Sequence, residues 1–211
     1  MPNKILLLLF VLCLIVTSET IVGPFNPSSG SWNAIYNGGF ENSFNGWGNP
    51  TASRGIFSAS TDYAYIGSYA AKSIANESFN GPGYCATQTI SVTGGQQYIL
   101  SAFFHQGSLT TGQLYIDMND VPFDTHIGIS GSSTLQTQWQ FVWTIVNVPV
   151  GVSSITFRMV RDGLVYTGEY GYIDEVAFTP NALFTAPSVP EASTLFMLLF
   201  SLTIGIFFKK K

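Results

Sequence analysis

The sequence predicts an all-β domain, two antiparallel sheets packed face to face, and three observations predict it. No long segment between residues 19 and 180 has the 3.6-residue apolar period of a helix. Short runs rich in Val, Ile, Thr, Phe and Tyr recur instead, several with polar and apolar residues in alternation. Clusters of Gly, Pro, Asn and Asp separate these runs at the close spacing of a sandwich.

The strands follow in chain order. Residues 68–74 open the series, and 84–92 follows the turn Asn80-Gly81-Pro82-Gly83. Across Thr93-Gly94-Gly95 comes 97–106, in which Ile99, Ser101, Phe103 and His105 share one face and Tyr98, Leu100, Ala102 and Phe104 the other. In 112–118, Gln113, Tyr115 and Asp117 alternate with Leu114, Ile116 and Met118 until Asn119-Asp120 ends the run. Residues 138–148 lead to Pro149-Val150-Gly151, and in 154–160 Thr156 and Arg158 alternate with Ile155, Phe157 and Met159. Arg161-Asp162-Gly163 turns the chain toward a last strand at 171–179, and no internal repeat is visible.

The two ends read as addresses around this domain. Lys4 precedes the apolar stretch 5–16, and Thr17-Ser18-Glu19-Thr20 follows, the pattern of a secretory signal peptide whose helix is removed by a cut near Ser18. Cys13 follows Leu12, where a lipoprotein signal has a small residue, so no lipid anchor is expected. Residues 1–18 are thus signal, 19–180 the domain and 181–189 a short linker containing Pro187. At 190–211 the chain reads Pro190-Glu191-Ala192, then Ser193 and Thr194, an apolar run at 195–208, and Lys209, Lys210 and Lys211. As a helix rising about 1.5 Å per residue the run spans roughly 20 Å, a marginal transmembrane helix against a hydrocarbon core of roughly 30 Å. The terminal lysines orient it with the bulk of the chain outside.

Motif, apolar run and basic tail in this order resemble the PEP-CTERM sorting signal of Gram-negative bacteria, which an exosortase recognises and cuts near a Pro-Glu-Pro motif. The resemblance implies export, transient anchoring through 195–208, and an exosortase-like partner at the cell envelope. Ala192 stands in place of the second proline, a departure that bears on the efficiency of processing.

Composition narrows the partners. Within 19–180 the bases are Arg54, Lys72, Arg158 and Arg161 against eleven acids, a net of −7. Such a surface repels phosphate backbones, so nucleic acid is not an expected partner. With 9% charged and 15% aromatic residues, the chain suits neutral polyols: flat rings meet the C–H patches of a sugar, and amides and carboxylates meet its hydroxyls. Once Cys13 leaves with the signal, Cys85 is the one remaining cysteine; no intrachain disulfide is expected, and beside Tyr84 and Ala86 it reads as a small buried hydrophobe.

A second resemblance rests on motifs spread over 37–179. These are Asn37-Gly38-Gly39-Phe40-Glu41 with Trp47, then Gly67-Ser68-Tyr69-Ala70-Ala71-Lys72, then Gln88-Thr89-Ile90-Ser91-Val92-Thr93-Gly94-Gly95-Gln96-Gln97-Tyr98. Trp139 with Val148-Pro149 and the closing Tyr172-Ile173-Asp174-Glu175-Val176 complete the set. In this order they resemble the carbohydrate-binding-module jelly roll, a galactose-binding-like β-sandwich. The resemblance implies sugar recognition either on the concave sheet face or on the loops at one edge, and it implies a structural Ca2+. Glu41 and Asp174 match the metal-binding positions, with oxygens around Gly67 and Ser68 completing the shell.

For a sheet-face site, alternation groups His105, Tyr115, Asp117 and Arg158 into one groove; for a loop site the candidates are Tyr63, Tyr65, Tyr84 and Tyr166. Bulk assigns Trp47, Trp139 and Trp143 to the core. His105 and His126, the only histidines, belong to no nucleophile or metal motif, and the grouping of Asp117, Asp120 and Asp124 with His126 reads as a loop between strands. The expectation is an exported noncatalytic surface or matrix protein that binds extracellular polysaccharide. A structural or adhesion matrix protein making protein contacts is the alternative, and a glycan-active hydrolase the third reading.

Overall fold

The computed structural model of the chain describes residues 33–48, 51–52, 55–118, 125–132 and 138–183, with backbone alone at 51, 52, 84 and 85. All of these belong to one compact unit, Asn26–Phe184. The signal peptide, the linker beyond 183 and the sorting segment lie outside the described residues. Among the described residues no helix is long and apolar enough to cross a membrane.

Twelve strands run in the order β1 (Thr51–Ala52), β2 (Gly55–Ser60), β3 (Ala70–Ala75), β4 (Phe79–Asn80), β5 (Gly83–Ser91), β6 (Gln97–His105), β7 (Gln113–Met118), β8 (His126–Ser130), β9 (Gln140–Asn147), β10 (Ser154–Asp162), β11 (Leu164–Val165) and β12 (Tyr170–Pro180). A 3-10 turn, Asn181–Leu183, follows. The larger sheet has the order β1-β2-β3-β12-β6-β9 and the smaller β5-β10-β7-β8, while β11 and β4 form a separate ribbon. Every ladder is antiparallel. The predicted sandwich is therefore the observed one, and each predicted strand is present with its ends shifted by a few residues. Strands β1, β2, β4, β8 and β11 were not expected: β1, β4 and β11 have two residues each, β2 is made largely of small residues, and Gly128 interrupts the apolar character of β8.

Period-two alternation supplies the core. Phe57, Ala71, Leu100, Ala102, Phe104, Ile173 and Phe178 face inward from the larger sheet, and Ile90, Leu114, Ile116, Ile127, Ile155, Phe157 and Met159 from the smaller. Phe178 joins the layers, its ring 5.0 Å from Phe157 and stacked at 4.7 Å on Tyr98. Each such side chain contributes about 1.5–3 kcal/mol on burial. The opening segment plugs one side of this core: Phe40 and Trp47 are buried with ring centroids 5.8 Å apart, as predicted for Trp47. Hydrogen bonds tie it to the rest, from Tyr36 N–H to Gln88 Oε1 at 2.7 Å and from Val176 N–H to the Gly38 carbonyl at 2.9 Å.

Charged residues interrupt the apolar interior, among them Arg161 and Glu169. Arg161, at the inward end of β10, is fully buried, and its three guanidinium nitrogens find no hydrogen-bond acceptor among the described residues. Its Nη2 lies 3.9 Å from Glu169 Oε2. Burial pulls Arg161 down to about 10, and Glu169 opposes that shift. Glu169 itself is held below the usual carboxylate range. Burial works against its charge, but the Thr110 hydroxyl, the amides of Tyr166 and Thr110, and Arg161 together outweigh it.

Candidate functional site

Because alternate residues of a strand point to opposite faces, the larger sheet has an outer face as well as a core face. A row of side chains crosses it. Ser58 on β2 is opposite Lys72 on β3, Lys72 is opposite Tyr172 on β12, and Tyr172 is opposite His105 on β6. Trp139, one residue before β9, completes the row with its ring 5.5 Å from that of His105. With strands about 4.8 Å apart, the row from Ser58 to Trp139 is about 19 Å long.

Residues 61–69, which connect β2 to β3, fold over this row. Tyr65 stacks on Phe103 at 3.6 Å and 14°. Tyr63 lies 4.3 Å from His105, 6.0 Å from Tyr172 and, nearly parallel, 6.0 Å from Trp139. It covers Tyr172 and His105, 4% and 8% exposed, and remains 43% exposed itself. The His105 ring is fixed from below as well: its Nδ1 accepts the Gly107 N–H at 3.0 Å, which places the ring proton of a neutral imidazole on Nε2.

Two carboxylates hold the connection in place. Asp174 Oδ2 accepts the N–H of Tyr65 at 2.8 Å and of Ile66 at 3.4 Å, while Oδ1 accepts the Glu175 N–H at 2.8 Å. Glu41 Oε1 accepts the N–H groups of Ser68 at 2.8 Å and Tyr69 at 2.9 Å. Gly67 between them has φ +75°, and a Cβ there would stand 2.3 Å from Glu41 Oε1, so both its backbone angle and its missing side chain are required.

The same corner bears on the calcium expectation. Asp174 is fully buried, and burial followed by the charge of neighbouring Glu175 pushes it up to about 8. Were a divalent cation held by Glu41, Asp174 and Ser68, it would offset that burial cost, in competition with the backbone N–H groups these carboxylates already accept. No group of three or more His, Cys, Asp or Glu is placed to hold a metal among the described residues. Backbone carbonyls would therefore supply most of the shell.

At the other end of the row Lys72 Nζ is 2.6 Å from Asp62 Oδ2 and 4.7 Å from the centre of the Tyr170 ring. The hydrogen bond to Asp62 raises the lysine, and the same bond lowers Asp62. Burial raises Tyr172, beside Lys72 in the row. The surface thus presents flat rings and a neutralised ion pair, which suits contact with an uncharged ligand rich in hydroxyls.

The structure divides the predicted groove. His105 belongs to the row just described, whereas Tyr115, Asp117 and Arg158 lie on the outer face of the smaller sheet, across the core. The strands of 97–106 and 112–118 are neighbours in sequence but belong to different sheets, so one alternation pattern produced two separate faces. Two tryptophans are corrected as well. Trp143 is 46% exposed on the edge strand β9, and Trp139 is a platform residue rather than part of the core. Tyr63 and Tyr65 lie in the connection as expected, and Tyr166 is exposed on the turn after β11. The side chains of Tyr84 and Cys85, and Asp120 and Asp124, lie outside the described residues. Lys72, Tyr170 and Tyr172 were missed as site residues, although the alternation of 171–179 contained the signal for Tyr172.

A two-sheet antiparallel sandwich with a row of aromatic side chains on one outer face defines the class, the jelly roll of carbohydrate-binding modules. The family is shown directly: residues 32–158 match the carbohydrate binding domain family CBM_4_9, and the chain belongs to it. No curated protein sequence matches the chain. Among solved structures it is similar to a family 16 carbohydrate binding module, with 21% identity, TM-score 0.50, and 70% of this chain and 99% of that one covered. It is also similar to a family 61 module in complex with β-1,4-galactotriose, with 18% identity, TM-score 0.51, and 71% and 99% covered. An arabinose-bound family 51 α-L-arabinofuranosidase is similar over 73% of this chain and 28% of its own, with 16% identity and TM-score 0.53. At these identities the structures bear on the fold.

Proposed function

We propose that this chain is a noncatalytic, exported module that binds extracellular polysaccharide on the outer face of its larger sheet. The observation that carries the reading is the row Lys72, Tyr172, His105 and Trp139 beneath the half-exposed ring of Tyr63. A pyranose chain laid across the strands stacks on Tyr63 and Trp139 and meets Lys72 and Asp62 with its hydroxyls. The segment 190–211 supports sorting by an exosortase-like enzyme to the cell envelope or matrix, and the Glu41 and Asp174 corner supports a structural calcium that locks 61–69 to the closing strand.

The test is affinity electrophoresis of the full-length protein through gels containing galactan, xylan or hydroxyethyl cellulose, β-1,4-linked probes suggested by the galactotriose complex. Retardation by at least one polysaccharide, reduced by Trp139→Ala, supports the reading. Unretarded migration in all, with capture of cell-surface protein instead, favours the adhesion reading, for which exposed Trp143 and Ile145 on edge strand β9 are the supporting observation.

A further inference from the structure

Two strand connections and the chain exit meet at one end of the sandwich. β5 leads into β6 through 92–96, β9 into β10 through 148–153, and β12 runs out through the turn Asn181–Leu183. The ladders set these side by side, since Gln97 is registered against Asn147 and Tyr98 against Pro180. The two connections touch: the Gly95 N–H donates to the Val148 carbonyl at 2.8 Å and the Val92 N–H to the Ser153 carbonyl at 2.9 Å. Gly94 permits this contact, because a Cβ there would stand 2.8 Å from both the Gly151 nitrogen and the Pro149 carbonyl. Side chains pin the exit to them, Asn181 Nδ2 donating to Gln97 Oε1 at 2.7 Å and Gln97 Nε2 to Asn147 Oδ1 at 2.9 Å. From this tip Val150 projects 90% exposed and Leu183 53% exposed. Residues 92–97, 147–153 and 179–183 contain no Asp, Glu, Lys or Arg, whereas Glu77, Asp162 and Glu169 lie toward the opposite end, where β3 and β10 finish and β12 begins.

We propose that this tip is the surface the domain presents to a lipid bilayer, with Val150 and Leu183 resting in the interfacial layer. The inference rests on the reading of 195–208 as a membrane anchor. Leu183 and Leu195 are twelve residues apart, at most about 40 Å of extended chain, so an anchor there brings this end of the sandwich to the membrane first. Two apolar side chains hold a free domain only weakly, and the tether supplies the local concentration that makes so small a contact persist. The charge pattern agrees. An acidic domain is repelled by an anionic leaflet, and turns without charge approach it at least cost, while the far carboxylates stay beyond a surface field that decays within about 10 Å.

The orientation also sets the height of the ring row. His105 is eight residues beyond Gln97 on β6, and Tyr172 eight before Pro180 on β12, about 27 Å along the strands. Because the row crosses the strands, it lies parallel to the bilayer at about that height, clear for a polymer running along the cell surface.

The test is amide NMR of the full-length chain in nanodiscs of phosphatidylethanolamine with a minority of phosphatidylglycerol, with and without a gadolinium-chelating lipid. The expected result is the strongest paramagnetic broadening at Gly94, Gly95, Val150, Gly151 and Leu183, and the weakest at Lys72, His105 and Glu169. Broadening centred on another face, or spread evenly over the domain, overturns the orientation and leaves the anchor reading intact. A chain that stays outside the nanodiscs overturns both. Val150→Asp and Leu183→Asp, both at exposed positions, provide the second readout. Each places a negative charge at the lipid surface and is expected to lower occupancy of the contact on the order of fivefold. The change is read as reduced broadening at the tip, with anchoring, the rest of the amide spectrum and sugar affinity unchanged. Broadening as strong as in the wild type in both variants means that the tether alone keeps the tip near the bilayer, and it sinks the lipid contact.

Discussion

Replacing Glu41 with alanine tests whether the connection over the platform is held by a carboxylate that lies off the sugar-facing row. The substitution removes the acceptor for two backbone N–H groups, those of Ser68 and Tyr69 at 2.8 and 2.9 Å. A hydrogen bond to a charged group contributes about 1.5–3 kcal/mol, but all three residues are exposed, so water replaces much of the loss; about 1–2 kcal/mol in total is the expected cost. In a domain of this size that corresponds to a fall in Tm of about 3–6 °C. Glu41→Gln, which keeps an acceptor oxygen, should lose about half as much. The assay is differential scanning calorimetry with and without a calcium chelator, followed by sugar affinity of each variant. If calcium occupies the corner, chelator lowers the wild-type Tm and leaves Glu41→Ala unmoved. Affinity should fall in Glu41→Ala although Glu41 lies off the ring row, because Tyr63 loses its mooring. An unchanged Tm in both Glu41→Ala and Gly67→Ala would refute the reasoning.

Tyr63→Ala removes the ring that bridges His105, Tyr172 and Trp139, and affinity for a bound oligosaccharide should drop about tenfold while Tm falls by no more than a few degrees; calorimetric titration checks the first and a melt the second. Glu169 is held below its ordinary value of 4.5 in the folded state, so its contribution to stability is present above about pH 4.5 and is lost as pH falls through the lower folded value; melts across acid pH should show the decline. Glu169→Gln alone leaves Arg161 buried without its counter-charge and should destabilise by about 3–5 kcal/mol in urea unfolding, whereas Arg161→Met with Glu169→Gln should be neutral or stabilising by up to about 1–4 kcal/mol.

What the sequence could disclose was limited by the difference between a face and a sheet. Alternation in 97–106 and 112–118 correctly separated Phe104 and Leu114 from His105 and Tyr115, because burial follows the period of a strand. It could not tell that the chain crosses the core between those strands, so two outward faces were merged into one groove. The tryptophans failed for another reason. Size favours burial on average, but Trp143 lies on an edge strand and Trp139 just before it, where none of the described strands pairs beyond them. The connection was legible only as tyrosines near glycine: that Asp174 and Glu41 capture its amides depends on partners up to 109 residues apart.

The position of β12 has a consequence for the order of assembly. The last of the described strands to leave the ribosome is not at an edge of the larger sheet; it pairs with β3 on one side and β6 on the other. Until Tyr170–Pro180 arrives, β1-β2-β3 and β6-β9 are two half-sheets with nothing between them, and Tyr172 is missing from the middle of the ring row. The chain therefore cannot close into its native sandwich before this strand is made. A nascent chain halted before Tyr170 should stay protease-sensitive throughout the larger sheet, and one halted after Pro180 should become resistant in a single step.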